Sequence, residues 1–305
     1  MGWLSFLNLL KEVVGMFNES RKLFLKNKKL MFSVLVFSLL LNGLVYLFNI
    51  LTITLEITNL TQHLKLLPTM DPSSAEYIAL LMEVFAEFGL FFVSSDIFGV
   101  FYFIINLLSV LVIVHASALT YNDENVNFKD FVVLSLKSWK GPLVTYFYIC
   151  LFSLGYWLFF VTILFPLLFL STASLISFAA VTCVLLVLFA LFASYLAIVW
   201  YLSLVVSVLD ETYGIQALGE AVKIAKGMKP KLFLLNLFFG LLIFGLAQIE
   251  TLVSLVMSTF VVMFLLMTYT VAFFQCKGHH GQDVESLRDA EYTTLPTTSL
   301  MGALP

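Results

Sequence analysis

The sequence predicts an all-α integral membrane protein, with six transmembrane helices arranged as three repeats of an amphipathic cytosolic helix plus a helical hairpin. Three observations lead there. Hydrophobic residues make up 61% of the chain and charged residues 11%, with a mean hydropathy of +1.02, whereas a soluble domain carries about a quarter charged residues. The charges that exist are segregated, and between Gly141 and Leu209 there is no Asp, Glu, Lys, Arg or His. Finally, the tract Lys-x-x-Lys-Gly occurs at Lys137–Gly141 and again at Lys223–Gly227, with a blurred copy at Leu23–Asn27, each time just ahead of a long apolar run.

Six uncharged runs are long enough to cross: Met31–Leu55, Ile97–Leu119, Leu143–Leu170, Leu175–Leu209, Leu232–Ile249 and Leu252–Phe274. As helix, Gly141–Leu209 would extend roughly 100 Å against a hydrocarbon core of roughly 30 Å, so it must turn back, and Ser171–Ser174 is the polar break. Leu175–Leu209 exceeds one crossing and should tilt, kink or project; Leu232–Ile249 barely suffices. A β-barrel is excluded because these runs do not alternate in polarity.

Sidedness follows from lysine and arginine. Every one except Lys65 falls on the side reached by an even number of crossings, which places both termini in the cytosol of a eukaryotic endomembrane or plasma membrane. The sequon at Asn18 is then cytosolic. The one at Asn59 is outside and a candidate for glycosylation, close to the first crossing. No cleavable leader is expected at the N-terminus, and Ser5 misses the myristoylation pattern by one place.

The repeat units run about 1–119, 120–208 and 209–278 within a single membrane domain (1–278), followed by a mobile cytosolic tail, 279–305. In the first, Trp3, Phe6, Leu7, Leu10, Val13, Val14 and Phe17 recur at three-and-four spacing; in the second, Phe128, Phe131, Val132, Leu136 and Trp139; in the third, Ile215, Leu218, Ala221, Val222 and Ala225. Gly141, Gly227 and Asn27 are expected to end these helices in the left-handed conformation, with Pro142 and Pro230 forbidding continuation. Lys26, Lys137, Lys140, Lys223 and Lys226 would then cap helix ends at the level of anionic cytosolic headgroups, as candidate lipid contacts. In the acidic outer loop Glu56–Asp96, Ser74–Gly89 has the stripe of an interfacial helix.

Chemistry is sparse. No Asp, Lys or Arg lies in any crossing, which disfavours ion-coupled transport; His115 and Glu250 sit near span ends. Asn42, Asn49, Asn106, Asn236 and Gln248 are the intramembrane amides, suited to helix-to-helix hydrogen bonds or to a polar path. Cys276, His279 and His280 fall short of a metal site, and Cys276, at the end of the last crossing, is a candidate for palmitoylation. Cys150 and Cys183 lie inside crossings, so there is no disulfide framework. No nucleophile–base pair or phosphate loop occurs, and no cofactor, enzyme activity or nucleic-acid partner is expected; the partner is the bilayer itself.

Trp200–Gly214, with Ala217-Leu218 and Lys226-Gly227, resembles the signature of the glycerophosphodiester phosphodiesterase membrane-domain superfamily, without its catalytic barrel. Phe273–His280 followed by Glu291-Tyr292 resembles the end of a plant family of multi-pass membrane proteins. Both resemblances imply topology rather than activity. The expected role is a non-enzymatic membrane scaffold or lipid-organising component; the alternative is a channel or transporter for a small or lipid-like solute. A polar face shared by several crossings would favour transport, and uniformly apolar, tightly packed crossings the scaffold.

Overall fold

A computed structural model describes residues 2–71, 73–124, 128–170, 175–210, 212–226, 228–249 and 252–279. Among them there is no strand, and six helices are long and apolar enough to cross a membrane: the α-helical membrane architecture is as expected.

Helix α1 (Gly2–Lys26) meets α2 (Lys28–Phe48) at Asn27. Asn27 does not adopt the expected left-handed conformation. At φ −125° it caps the next helix, its side-chain oxygen accepting from the Leu30 N–H at 3.3 Å. After Phe48 the backbone widens into a π-helical stretch, Asn49–Thr54, then resumes as α3 (Leu55–Leu66). Thr52 donates back to the Phe48 carbonyl, a bond that competes with the regular ladder and accompanies such local bends.

The helix that carries the first crossing therefore does not stop at Leu55. It continues to Thr69 as 42 residues, roughly 60 Å of helix. Ser74, accepting from the Tyr77 N–H at 3.1 Å, starts α4 (Ala75–Tyr121), which runs unbroken for 47 residues. The helix expected at Ser74–Gly89 is thus the first part of α4, continuous with the second crossing. It pairs with α3 through a Ser94–Glu56 hydrogen bond of 2.6 Å and a His63–Glu87 contact of 3.1 Å, with Leu60, Leu80 and Val84 buried beside them. In the turn between, the Ser73 hydroxyl and N–H hold the Asp71 carboxyl below its usual pKa. Asp123, at φ 62°, closes the far end of α4, where the Glu124 N–H reaches the Leu119 carbonyl.

Helix α5 (Phe128–Lys137) is followed by α6 (Lys140–Leu170). Gly141 was expected to end the first of these. Instead, with Pro142, it lies in the first turn of the second, where proline's missing N–H costs nothing. Lys140 likewise starts a helix rather than completing one. The turn expected at Ser171–Ser174 lies outside the described residues. Helix α7 (Leu175–Leu209) leads through Gly214, at φ 62°, into α8 (Ile215–Ala225), and α9 (Lys229–Ala247) begins with Pro230 in its first turn. Gly227 and Glu250 are outside the described residues. Helix α10 (Leu252–His279) extends past the expected end at Phe274.

Helix α10 is the hub, packed against α1, α2, α4, α7 and α9. Its Tyr269 and Phe273 are fully buried in a cluster with Leu111 and Val114 of α4, Leu202 and Val205 of α7, and Leu232 of α9, and its Met263 and Met267 in a second with Met31 and Val34 of α2 and Ile113 of α4. By contrast Phe147, Trp157, Phe159, Val184 and Leu188 of α6 and α7 face outward, as side chains solvated by acyl chains can. The short helices are also packed into the protein. Ser20 and Phe131 have no exposed surface, and Ala217, Ala221 and Ala225 bring α8 close against α7. In α1 the inward face is Met16, Ser20 and Leu23; the expected stripe residues Leu7, Val14 and Phe17 remain exposed.

Candidate functional site

The residues that could carry chemistry converge in one place. Three of the intramembrane amides, Asn42 and Asn49 from α2's end and Asn106 from α4, line a cavity of about 350 Å³ between α2, α4 and α10. Tyr46 and Tyr102 add phenols, and Ser38, Ser109, Ser258 and Thr259 add hydroxyls. The apolar part is Val45, Phe98, Val110, Ile113, Leu255, Val262 and Leu266. Helical spacing explains the convergence: Ser38, Asn42, Tyr46 and Asn49 share one face of α2, while Tyr102, Asn106, Ser109 and Ile113 share one face of α4.

Within this wall some groups are satisfied. The Asn42 amide donates to Thr259 Oγ1 at 3.2 Å, tying α2 to α10, and Asn106 donates to the Tyr102 carbonyl at 3.0 Å. Thr259 and Ser258 donate to the Leu255 carbonyl. Two are not. The Ser38 and Ser109 hydroxyls are 1% and 6% exposed and have no hydrogen-bond partner. Leaving a buried hydroxyl unpaired costs about 1–3 kcal/mol, and both oxygens are closed off from the open space of the cavity by the side chains around them. No charged side chain lines the space. One of its lining residues, Asn49, begins the π-helical stretch, a type of distortion that concentrates at functional positions.

The other intramembrane amides take structural roles. Asn236 donates to the Ser194 carbonyl at 2.9 Å, and Gln248 caps α9. His115 is buried, with Nδ1 3.2 Å from the Leu111 carbonyl and Nε2 3.4 Å from Ser138 Oγ, linking α4 to the α5–α6 connection.

The candidate lysines are dispersed. Lys26 pairs with Asp123 at 2.7 Å and Lys223 with Glu220 at 2.7 Å. Lys137 and Lys226 are exposed. Lys140 lines a second cavity, of about 440 Å³, with Ser138, Gly141, Ser207 and Tyr213. Beside it the chain is locked: the Gly214 N–H donates to Thr145 Oγ1 at 2.8 Å, and a Cβ on Gly141 would lie 2.5 Å from the Tyr213 ring. Gly141 is therefore required for close approach of Tyr213, a role its position after a helix did not suggest. Asn59 is exposed on α3. Cys276 is buried, its sulfur 2.9 Å from that of Met228, a placement closed to an acyl donor while α10 and α9 stay packed. Among the described residues no group of His, Cys, Asp and Glu could hold a metal ion; His280 lies outside them.

Sequence reasoning found the amides singly but missed Ser38, Ser109, Ser258, Thr259, Tyr46 and Tyr102. Part of the signal was there, as polar residues three, four and seven apart on the first two crossings, but nothing in the chain joined them to Ser258 and Thr259 on the sixth.

Six membrane-length apolar helices, three of which line a neutral polar cavity, define an α-helical integral membrane protein. Residues 4–292 match the family model described as Domain of unknown function (DUF8558), and the chain belongs to that family. No curated protein and no solved structure matches it. The comparisons support neither a plant origin nor the likeness to the phosphodiesterase membrane domains.

Proposed function

We propose that this protein binds a small polar or lipid-like solute within the bilayer and serves its passage, without enzymatic chemistry. The observation that carries this reading is the cavity between α2, α4 and α10, with its uncharged wall of amides, phenols and hydroxyls. It is the shared polar face that favours transport over a purely apolar scaffold. The absence of charged side chains from its lining fits a solute that moves without an accompanying ion.

The test is native mass spectrometry of the full chain released from detergent. A bound solute should accompany the wild type and be lost from Ser109→Leu, which fills the cavity, while Lys223→Gln retains it. Wild-type protein that carries no adduct under any mild release condition would sink the proposal.

The second reading is a scaffold that organises anionic lipids of the cytosolic leaflet through Lys26, Lys137, Lys140, Lys223 and Lys226. Its support is the cavity that Lys140 shares with Ser138, Ser207 and Tyr213. Replacing Lys137, Lys140, Lys223 and Lys226 by Gln should then lower anionic-lipid co-purification.

The architecture belongs to the same proposal: three units in one membrane domain, with α1, α5 and α8 each preceding a hairpin and the lysine-rich end in the cytosol. The order of elements and the lysine distribution support it. The resemblance of Trp200–Gly214 to phosphodiesterase membrane domains, and of Phe273–His280 to a plant multi-pass family, rests on those motifs alone.

A further inference from the structure

We infer that the cavity between α2, α4 and α10 takes the headgroup of an uncharged, hydroxyl-bearing glycerolipid of the diacylglycerol type, admitted sideways from the bilayer past Tyr102. This rests on the solute-binding reading of the same cavity and narrows it to one chemical class.

Charge is the first constraint. The polar lining consists of amides, hydroxyls and phenols, with no Lys, Arg or His to neutralise a phosphate and no Asp or Glu to receive an ammonium group. A charged headgroup would leave water without a counter-charge, which is prohibitive at this depth. A neutral group with two or more oxygens meets what the wall offers. The Asn42 and Asn49 amides and the Tyr46 and Tyr102 hydroxyls can each donate and accept.

Size and access are the second. From Ser38 to Asn49 the lining covers about 16 Å of helix, about half the hydrocarbon core. A volume of about 350 Å³ lies at the small end of ligand pockets, enough for a glycerol headgroup and its ester carbonyls but not for two acyl chains. Those chains must remain outside. Tyr102 lines the cavity and is 48% exposed on the flank of α4, next to outward-facing Ile104, so the wall is open where acyl chains would lie. A water-soluble solute has no use for a mouth there. The apolar remainder of the lining, including Val45, Phe98 and Leu255, suits the proximal methylenes.

The experiment uses the full chain in phosphatidylcholine nanodiscs with a diazirine-bearing diacylglycerol, or a phosphatidic acid carrying the same chains, and maps cross-linked peptides. The diacylglycerol probe should label α2, α4 and α10 at the cavity at least about fivefold more than the phosphatidic acid. Asn49→Leu should cut that labelling about fivefold, the loss of one hydrogen bond, with Asn49→Gln restoring it at an unchanged melting temperature. Equal or stronger labelling by phosphatidic acid overturns the neutral class and leaves the solute-binding reading standing. So does labelling by neither probe while wild type still carries a cavity-dependent adduct in mass spectrometry. Labelling by neither probe with no adduct overturns both.

Discussion

Ser20 Oγ lies 3.0 Å from Thr268 Oγ1, and both side chains are fully buried. The contact joins the first helix of the chain to the last. A helix resting on lipid headgroups would have no reason to bury a serine; α1 does so because it packs against α10. Each hydroxyl also has a carbonyl of its own helix within reach, Met16 at 3.0 Å from Ser20 and Phe264 at 2.7 Å from Thr268, so the pair forms one shared network.

Replacing Ser20 by Val should destabilise the protein by about 1–2 kcal/mol, through loss of that bond and the strain of a branched side chain in a closed site. Val14→Ser, on the 64% exposed face of the same helix, should change stability little. Thermal unfolding in detergent distinguishes them, and equal effects would mean α1 is not docked.

Gly141→Ala should cost about 1–3 kcal/mol because its Cβ would meet the Tyr213 ring at 2.5 Å. Tyr213→Ser should relieve most of that cost. The double mutant is expected to be strongly non-additive, and simple additivity would refute the contact.

Lys277 and Asp210 pair at 2.5 Å with side chains 14% and 16% exposed, fastening the end of α10 to the end of α7. Asp210→Ala leaves the lysine without its counter-charge and should cost about 1–3 kcal/mol. Exchanging the two residues should recover part of the loss in unfolding measurements. A charge swap no better than the single change would show that the pair contributes only packing.

Ser38→Ala and Ser109→Ala should each stabilise delipidated protein, by about 0.5–1.5 kcal/mol, because each removes an unpaired buried hydroxyl. Loss of stability in both variants would show that these hydroxyls are bonded within the empty protein.

Asn59→Cys should react with an impermeant maleimide on intact cells, and Lys137→Cys only after permeabilisation. The reverse pattern would invert the proposed topology.

The crossings were legible because hydropathy and charge are local properties. Boundaries were less so: Leu55 looked like an end because Glu56 follows, yet a carboxylate bonded to Ser94 of the neighbouring helix lets α3 continue. Gly141 and Asn27 were misread for a related reason. Each stands between two helices, and residues suited to ending one also suit starting the next. Asn42 and Asn106 were visible as polar residues in apolar runs, but nothing in the chain said they face one cavity.

What the sequence by itself determined is an all-helical chain with six membrane-length crossings and a segregated set of charges. Only the tertiary structure decided which faces meet: that α10 is the hub, that α1, α5 and α8 are docked, and that Asn42 and Asn106 line one shared space. The physical reason is the solvent. In water, an apolar stripe marks the buried face of a helix. In a bilayer, lipid-facing and protein-facing surfaces are equally apolar, so packing geometry and a few polar bonds choose the partners.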